Sequence, residues 1–277
     1  MRERKTIPAL LLALTLSLTA CGGAPAVSGS QVPPDGSAAR TQPKALEAPP
    51  MERKTLCLTL VDGAGTDALL LAGDDAWEVY TVPADSLPLT LDDQPADPSA
   101  LEDGMPLTLA YTAIEDSFPA RLGVTAAEAA SRGTAGNPGG GFYDLCGLYL
   151  QVLSDLAGGS EETVAVDLSQ APGGLTEGEK TAIAWRFASL CGAELADPES
   201  AAPGTVLFTI RAAGGTEGEA CSLPTLKFEA ERSQTLPAGP DGTLTSTARI
   251  LRDCTALWPE LGPWTGYQVG AEALSCG

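Results

Sequence analysis

Carboxylates are the residues best supplied for chemistry in this chain. Thirty-six Asp and Glu stand against sixteen Lys and Arg, and there is no histidine. Without imidazole, a Ser-His-Asp triad, a Cys-His dyad, His-ligated zinc and an imidazole proton shuttle are all excluded. Paired carboxylates remain, as in glycoside hydrolysis, and so do lysine and hydroxyl nucleophiles. Asp74-Asp75, Asp92-Asp93 with Asp97, and Glu102-Asp103 carry oxygens of the kind Ca²⁺ takes. None has the D-x-D-x-D-G spacing of a formed loop, so they read as solvated turn carboxylates. Glu177 and Glu179 have the look of an acid/base pair, but Thr176 and Glu179 make a capping box that accounts for the glutamates, and Lys180 is ordinary helix-surface charge. The glycines of Asn137-Pro138-Gly139-Gly140-Gly141 lack the G-x-G-x-x-G arrangement and any following Lys-Ser/Thr of a phosphate loop. No metal, cofactor or catalytic residue is expected. Trp258, Trp264 and Tyr267, set among prolines and glycines, are the candidate ligand platform for sugar or peptide. The competing reading makes that segment a cap on a sheet edge.

Seven cysteines complete the inventory. Cys21 follows a basic start (Arg2, Arg4, Lys5) and an apolar run from Ile7 to Thr19. The run is shorter than the roughly 20 apolar residues that span a bilayer, and it reads as a secretory h-region. Leu18-Thr19-Ala20-Cys21 resembles the lipobox of bacterial lipoproteins. That resemblance implies cleavage before Cys21 and a thioether-linked diacylglycerol on it. Cys57, Cys146, Cys191, Cys221, Cys254 and Cys276 remain; outside the membrane an even set admits three disulfides. Cys57, Cys146 and Cys191 are read as lying on apolar faces, where a free thiol behaves as a small hydrophobe, so mostly unpaired buried thiols are favoured. Cys276, beside the end of the chain, is expected to be exposed. No C-x-x-C pair supports a redox or zinc-ribbon reading.

Formal net charge is -20, and -22 once residues 1–20, with three basic and one acidic residue, are removed. So acidic a chain has no basic face for nucleic acid. It is also repelled by anionic lipid, so membrane attachment falls to the acyl anchor. From Gly22 to Pro50 the chain is rich in Gly, Ala, Pro, Ser and Gln without apolar period. It reads as a disordered tether, about 95 Å if extended and nearer 30 Å as a coil.

The elements that must position any site change period along the chain. From 51 to 122 the period is two: Leu56/Leu58/Leu60, Leu69 to Leu71, Trp77 to Tyr80, Leu87/Leu89/Leu91 and Met105/Leu107/Leu109/Tyr111. Five or six short strands with Asp-Gly, Gly-Asp and Asp-Asp turns predict a small antiparallel β-barrel. Within it Leu101-Glu102-Asp103-Gly104 leads to Met105 through Tyr111, and Glu115-Asp116-Ser117-Phe118-Pro119-Ala120 follows. These stretches resemble the closing strands of OB-type domains in Firmicutes surface lipoproteins. Residues 123–141 are Ala- and Gly-rich and read as a linker. From 142 to 277 the period becomes helical, with Phe142, Leu145, Cys146, Tyr149, Val152, Leu153 and Leu156 on one face. A strand at Val164–Leu168 follows, then a helix from the Thr176 capping box to Gly192, burying Ile183, Phe187 and Leu190. Val206/Phe208/Ile210, Leu226/Phe228 and segments from Ile250 to Leu274 supply strands. The expectation is α+β: an OB-like barrel, then a separate domain of two helices packed on an antiparallel sheet.

The phrases GFYDLCGLYLQVLSDL, VAVDLSQAPGGLTEGEKTAIAWRF and DCTALWPELGPWTGYQVGAEALS resemble a family of uncharacterised Firmicutes lipoproteins over most of Asn137 to Ser275. The resemblance implies the same α+β domain and a surface location, and carries no assigned catalytic residue. An insertion expected from that family between Cys191 and Pro203 is lacking. Together these features point to a lipid-anchored extracytoplasmic protein that binds a small ligand or an envelope protein without catalysis. A cell-envelope hydrolase using a carboxylate pair and an envelope assembly module are the alternatives.

Overall fold

The computed structural model describes residues 54–139, 141–159, 161–213, 224–236, 238, 245–259 and 263–276. Cys21, the leader, the tether and Cys221 lie outside them, as does the side chain of Cys276.

Alternating apolar residues build an antiparallel meander of β1 (Lys54–Asp62), β2 (Ala68–Ala72) and β3 (Val79–Pro83). A short hairpin follows, β4 (Leu89–Leu91) and β5 (Gln94–Ala96), turning through Asp92 and Asp93. Both are left-handed, with φ of 50° and 62°, which a two-residue primed turn requires. Then β6 (Pro106–Glu115) returns to pair with β1, and β7 (Ala120–Ala129) pairs with β6. Parallel pairing of β7 with β3, Tyr80 to Ala120 and Thr81 to Arg121, closes a five-stranded barrel. Leu58, Leu60, Leu69, Leu71, Leu107, Leu109 and Leu122 are buried in it.

The barrel does not stop at Leu122. Gly123 to Ala129 look like linker by composition, but they continue β7 and pair with β6 and β4. Neighbouring strands give that stretch its hydrogen bonds and apolar cover, so small residues suffice there.

The rest of the chain forms α1 (Leu145–Leu156), β8 (Thr163–Gln170), α2 (Glu177–Cys191) and β9 (Glu194–Ala196), then β10 (Val206–Ala212), β11 (Thr225–Thr235), β12 (Ser246–Leu257), β13 (Tyr267–Gln268) and β14 (Ala271–Cys276). Among the described residues the architecture is α+β: a closed barrel, two helices and a second sheet. That sheet, ordered β13-β12-β11-β10-β8-β9 with β14 beside β12, is mixed rather than antiparallel. β8 runs parallel to β9 and to β10. A helix between neighbouring strands returns the chain to the same end of the sheet, so β8-α2-β9 must be parallel. β9 has three residues, too few for alternation to register.

α2 opens on the expected capping box. The Thr176 hydroxyl accepts from the Glu179 N–H at 3.1 Å, and the Thr176 N–H donates to Glu179 Oε2 at 2.9 Å. Gly192 ends the helix in the left-handed conformation. Ala182, Ile183, Phe187 and Ala188 are buried, whereas Leu190 is 55% exposed. Period marks the face of a helix but not how far along it cover extends, and the last turn is uncovered at Leu190.

Two separate cores do not form. Pro50–Gly277 is one compact unit, and buried residues of barrel, helices and second sheet make one continuous cluster. α1 touches β1 on the barrel and β11 on the sheet; α2 touches β1, β2 and β3 as well as β8 and β9. The helices are thus a middle layer. Leu148 and Leu150, off the stripe read for α1, are buried too, as expected of a helix covered on most sides.

Candidate functional site

The barrel and α1 meet around Asp144, which caps α1. Its backbone is left-handed (φ 57°, ψ 42°), a conformation that Asp and Asn tolerate better than other side chains. Asp144 Oδ1 accepts from the Gly147 N–H at 3.1 Å, and Oδ2 accepts from Trp264 Nε1–H at 3.0 Å. Gly104 of the turn before β6 packs directly on it: a Cβ there would lie 2.6 Å from the Asp144 nitrogen. Beside them is a cleft of about 310 Å³ whose lining includes Thr59, Gly104, Asp144, Cys146, Gly174 and Glu179.

Burial pushes the Asp144 carboxyl up to about 7. The Asp103 and Asp62 carboxylates push the same way, while the Gly147 and Trp264 donors pull it down. Burial also raises Asp103, against a hydrogen bond from the Ala64 N–H at 2.9 Å. Burial, with Glu179 and Asp144 nearby, holds Cys146 well above the usual thiol range, so it stays a protonated, inert thiol. Glu179 Oε2 already accepts from Thr176 in the capping box. The cleft therefore joins two carboxyls whose oxygens serve as caps to helix starts.

The three aromatic residues read as a ligand platform each tie the C-terminal segment to α1, and Trp258 is the one of them that is buried. Trp258 is 1% exposed, with its ring edge-on to Phe142 at 4.8 Å, and offers no face to a ligand. Its Nε1–H donates to the Tyr143 carbonyl at 2.6 Å. Trp264 donates to Asp144, and the Tyr267 hydroxyl donates to Asp155 Oδ2 at 2.8 Å. The three donors run from the start of α1 to its last turn and tie the C-terminal segment along it. Proline and glycine spacing between the rings gives the bends this requires, and composition alone does not separate the two roles.

Comparison of the chain with protein-family profiles, curated proteins and solved structures finds no match in any of the three. What the site can do rests on its own geometry.

The other singled-out residues fall into local bonds. Asp92 accepts from the Ser131 N–H and hydroxyl, and Asp97 caps a 3₁₀ turn at Pro98–Ala100. Glu102 pairs with Arg132, whose guanidinium lies 3.9 Å over the Tyr143 ring. Lys180 pairs with Glu177 at 2.7 Å. Cys57, Cys146, Cys191 and Cys254 are free. Cys146 and Cys254 are buried and Cys191 half-buried, but Cys57 is exposed, sharing the outer face of β1 with Thr55. Asp144 itself was legible only as an acid one residue ahead of an apolar helical run, the N-cap signal.

Proposed function

We propose that this chain is an extracytoplasmic lipoprotein held to the membrane by acylated Cys21, whose folded part binds a small ligand or an envelope protein without catalysis. The observation that carries the reading is the run Leu18-Thr19-Ala20-Cys21 behind a basic start and a short apolar stretch. It leaves about thirty residues between that cysteine and the first barrel strand at Lys54. The OB-like reading of the barrel is supported by its strand path: a three-strand meander, then β6 returning beside β1 and β7 closing on β3, a five-stranded Greek-key barrel. Binding is favoured over a carboxylate hydrolase because Asp144 and Glu179, which share the cleft, are both engaged in helix caps. Metabolic labelling with an alkyne fatty acid and detergent phase partition test the anchor. The wild type should label and enter the detergent phase, and Cys21→Ala should do neither. Labelling and partition retained in Cys21→Ala would overturn the reading.

A further inference from the structure

A sheet edge offers unpaired N–H and C=O groups to any strand that comes alongside, and shortness, proline, lysine or a bulge guards against it. Among the described residues the edges are guarded unequally. The barrel sheet ends on β5, three residues with Pro95 in the middle. The second sheet ends at one side on β9, again three residues. At its other side β12 is flanked by the two residues of β13 and the six of β14. β14 has no proline, lysine or arginine, and its register with β12 runs without a bulge. Ala271, Glu272, Leu274 and Ser275 are all exposed. The same register strands an apolar side chain. Leu274 stands opposite Arg249, which reaches toward α1 and donates to the Asp155 carbonyl at 2.9 Å. Leu274 therefore lies on the helix-covered face of the sheet. Helical cover ends short of it: Leu274 is 78% exposed, the most exposed large apolar residue among those described. Glu272, the one charged residue of β14, is already paired with Arg249 at 2.7 Å.

We propose that β14 is a self-pairing edge: two copies of this chain join β14 to β14 antiparallel about a twofold axis, so that their second sheets run on as one. A twofold contact sets the same patch against itself, and antiparallel pairing keeps directly opposed side chains on one face. Centred on Glu272, that pairing would bring two carboxylates together. Centred on Ala273, it would press each carboxylate against a leucine. Centred on Leu274, the two leucines meet, and the residues opposed on the far face are Ala273 and Ser275, both small. Glu272 then stays toward the end of the paired stretch, beside its own Arg249. This last register gives each Leu274 the cover its own helices omit, and a second copy supplies that leucine at the position where it is needed. The formal charge of -20 on each copy opposes association, so the pairing is weak and reversible.

Sedimentation equilibrium on the full chain tests this. At about 0.1 mM and physiological salt the wild type should show a monomer–dimer equilibrium, with Kd about 10–100 μM for so small an interface. Leu274→Lys should raise Kd by about tenfold or more, since it sets two ammonium groups against each other across the axis. The same change lowers the net negative charge, so general self-repulsion predicts the opposite sign. Leu190→Lys, an equal change of charge on the exposed last turn of α2, should not weaken association. Under mild oxidation Leu274→Cys should give dimers linked through residue 274 itself, mapped by mass spectrometry, and Leu190→Cys should give none through residue 190. A wild type that stays monomeric at that concentration, a Leu274→Lys variant that associates as well as wild type, or linkage only through other cysteines would overturn the proposal.

Discussion

Asp144 shows how one side chain can hold a structural post at a cost that depends on pH. Its carboxyl is pushed from the usual 3.8 to about 7, so between those values the folded chain binds more protons than the unfolded one. Stability from this group is complete below about pH 4, falls as pH rises toward 7, and is lost above it. Asp144→Asn keeps a capping oxygen without the titration. Urea unfolding of the two proteins should show the variant gaining roughly 2–4 kcal/mol relative to wild type between pH 4 and pH 8. An equal difference at both pH values would contradict the assignment. At Glu161 a buried carboxylate is paired instead. Its buried carboxylate accepts from the Gly158 N–H at 2.6 Å and meets Arg232 at 3.3 Å, fixing the α1–β8 turn to β11. Glu161→Ala should cost about 3–5 kcal/mol in thermal or urea melts, since it strands the guanidinium.

At the scale of elements, the start of α2 does more than begin a helix. The Thr176 hydroxyl donates to the Gly73 carbonyl at 2.7 Å while accepting from Glu179, and the Gly178 N–H donates to the Asp74 carbonyl at 3.3 Å. The cap thus grips the β2–β3 turn of the barrel. A Cβ at Gly178 would lie 2.4 Å from the Gly73 oxygen. Glycine to alanine usually stabilises a helix by about 0.5–1 kcal/mol. Here Gly178→Ala should instead destabilise by roughly 1–3 kcal/mol, because backbone rather than a flexible side chain stands in the way. A chemical melt in which the variant matches or exceeds wild type would show that the turn yields. Trp258→Phe should cost about 1–3 kcal/mol by leaving the buried Tyr143 carbonyl without its donor, the loss expected of a strap rather than of a ligand platform.

For the whole molecule, the shared core predicts shared fate. With the helices sandwiched between barrel and sheet, calorimetry of the full chain should give one unfolding transition for the folded unit. A fragment spanning 142–277 should not melt cooperatively, since the barrel side of α1 and α2 would be exposed to water. Two resolved transitions, or a sharp melt of the fragment, would restore separate cores. The acidity acts at this scale as well. The folded chain repels itself, so raising salt from 0.01 to 0.5 M should raise the melting temperature by a few degrees through screening.

Local patterns carried a large part of this protein. The alternation of Leu56, Leu58 and Leu60 and of Met105 through Tyr111 specified barrel strands, and Thr176 with Glu179 specified the start of α2 to the residue. The same alternation set Cys57 with Thr55 and Thr59 on the outside, where it lies, although it was counted among the apolar positions. These signals are local because each rests on neighbours within a turn or a pleat. What lay beyond the sequence was which element covers which. The parallel pairing of β8 with β9 and β10, the continuation of β7 through a linker-like stretch, the inward turn of Trp258, and the bonds of Trp264 and Tyr267 to the ends of α1 all depend on partners far along the chain. The single core was hidden for the same reason: an apolar stripe states that a helix has something to bury, and only the tertiary structure decided that α1 and α2 bury it on two sides at once.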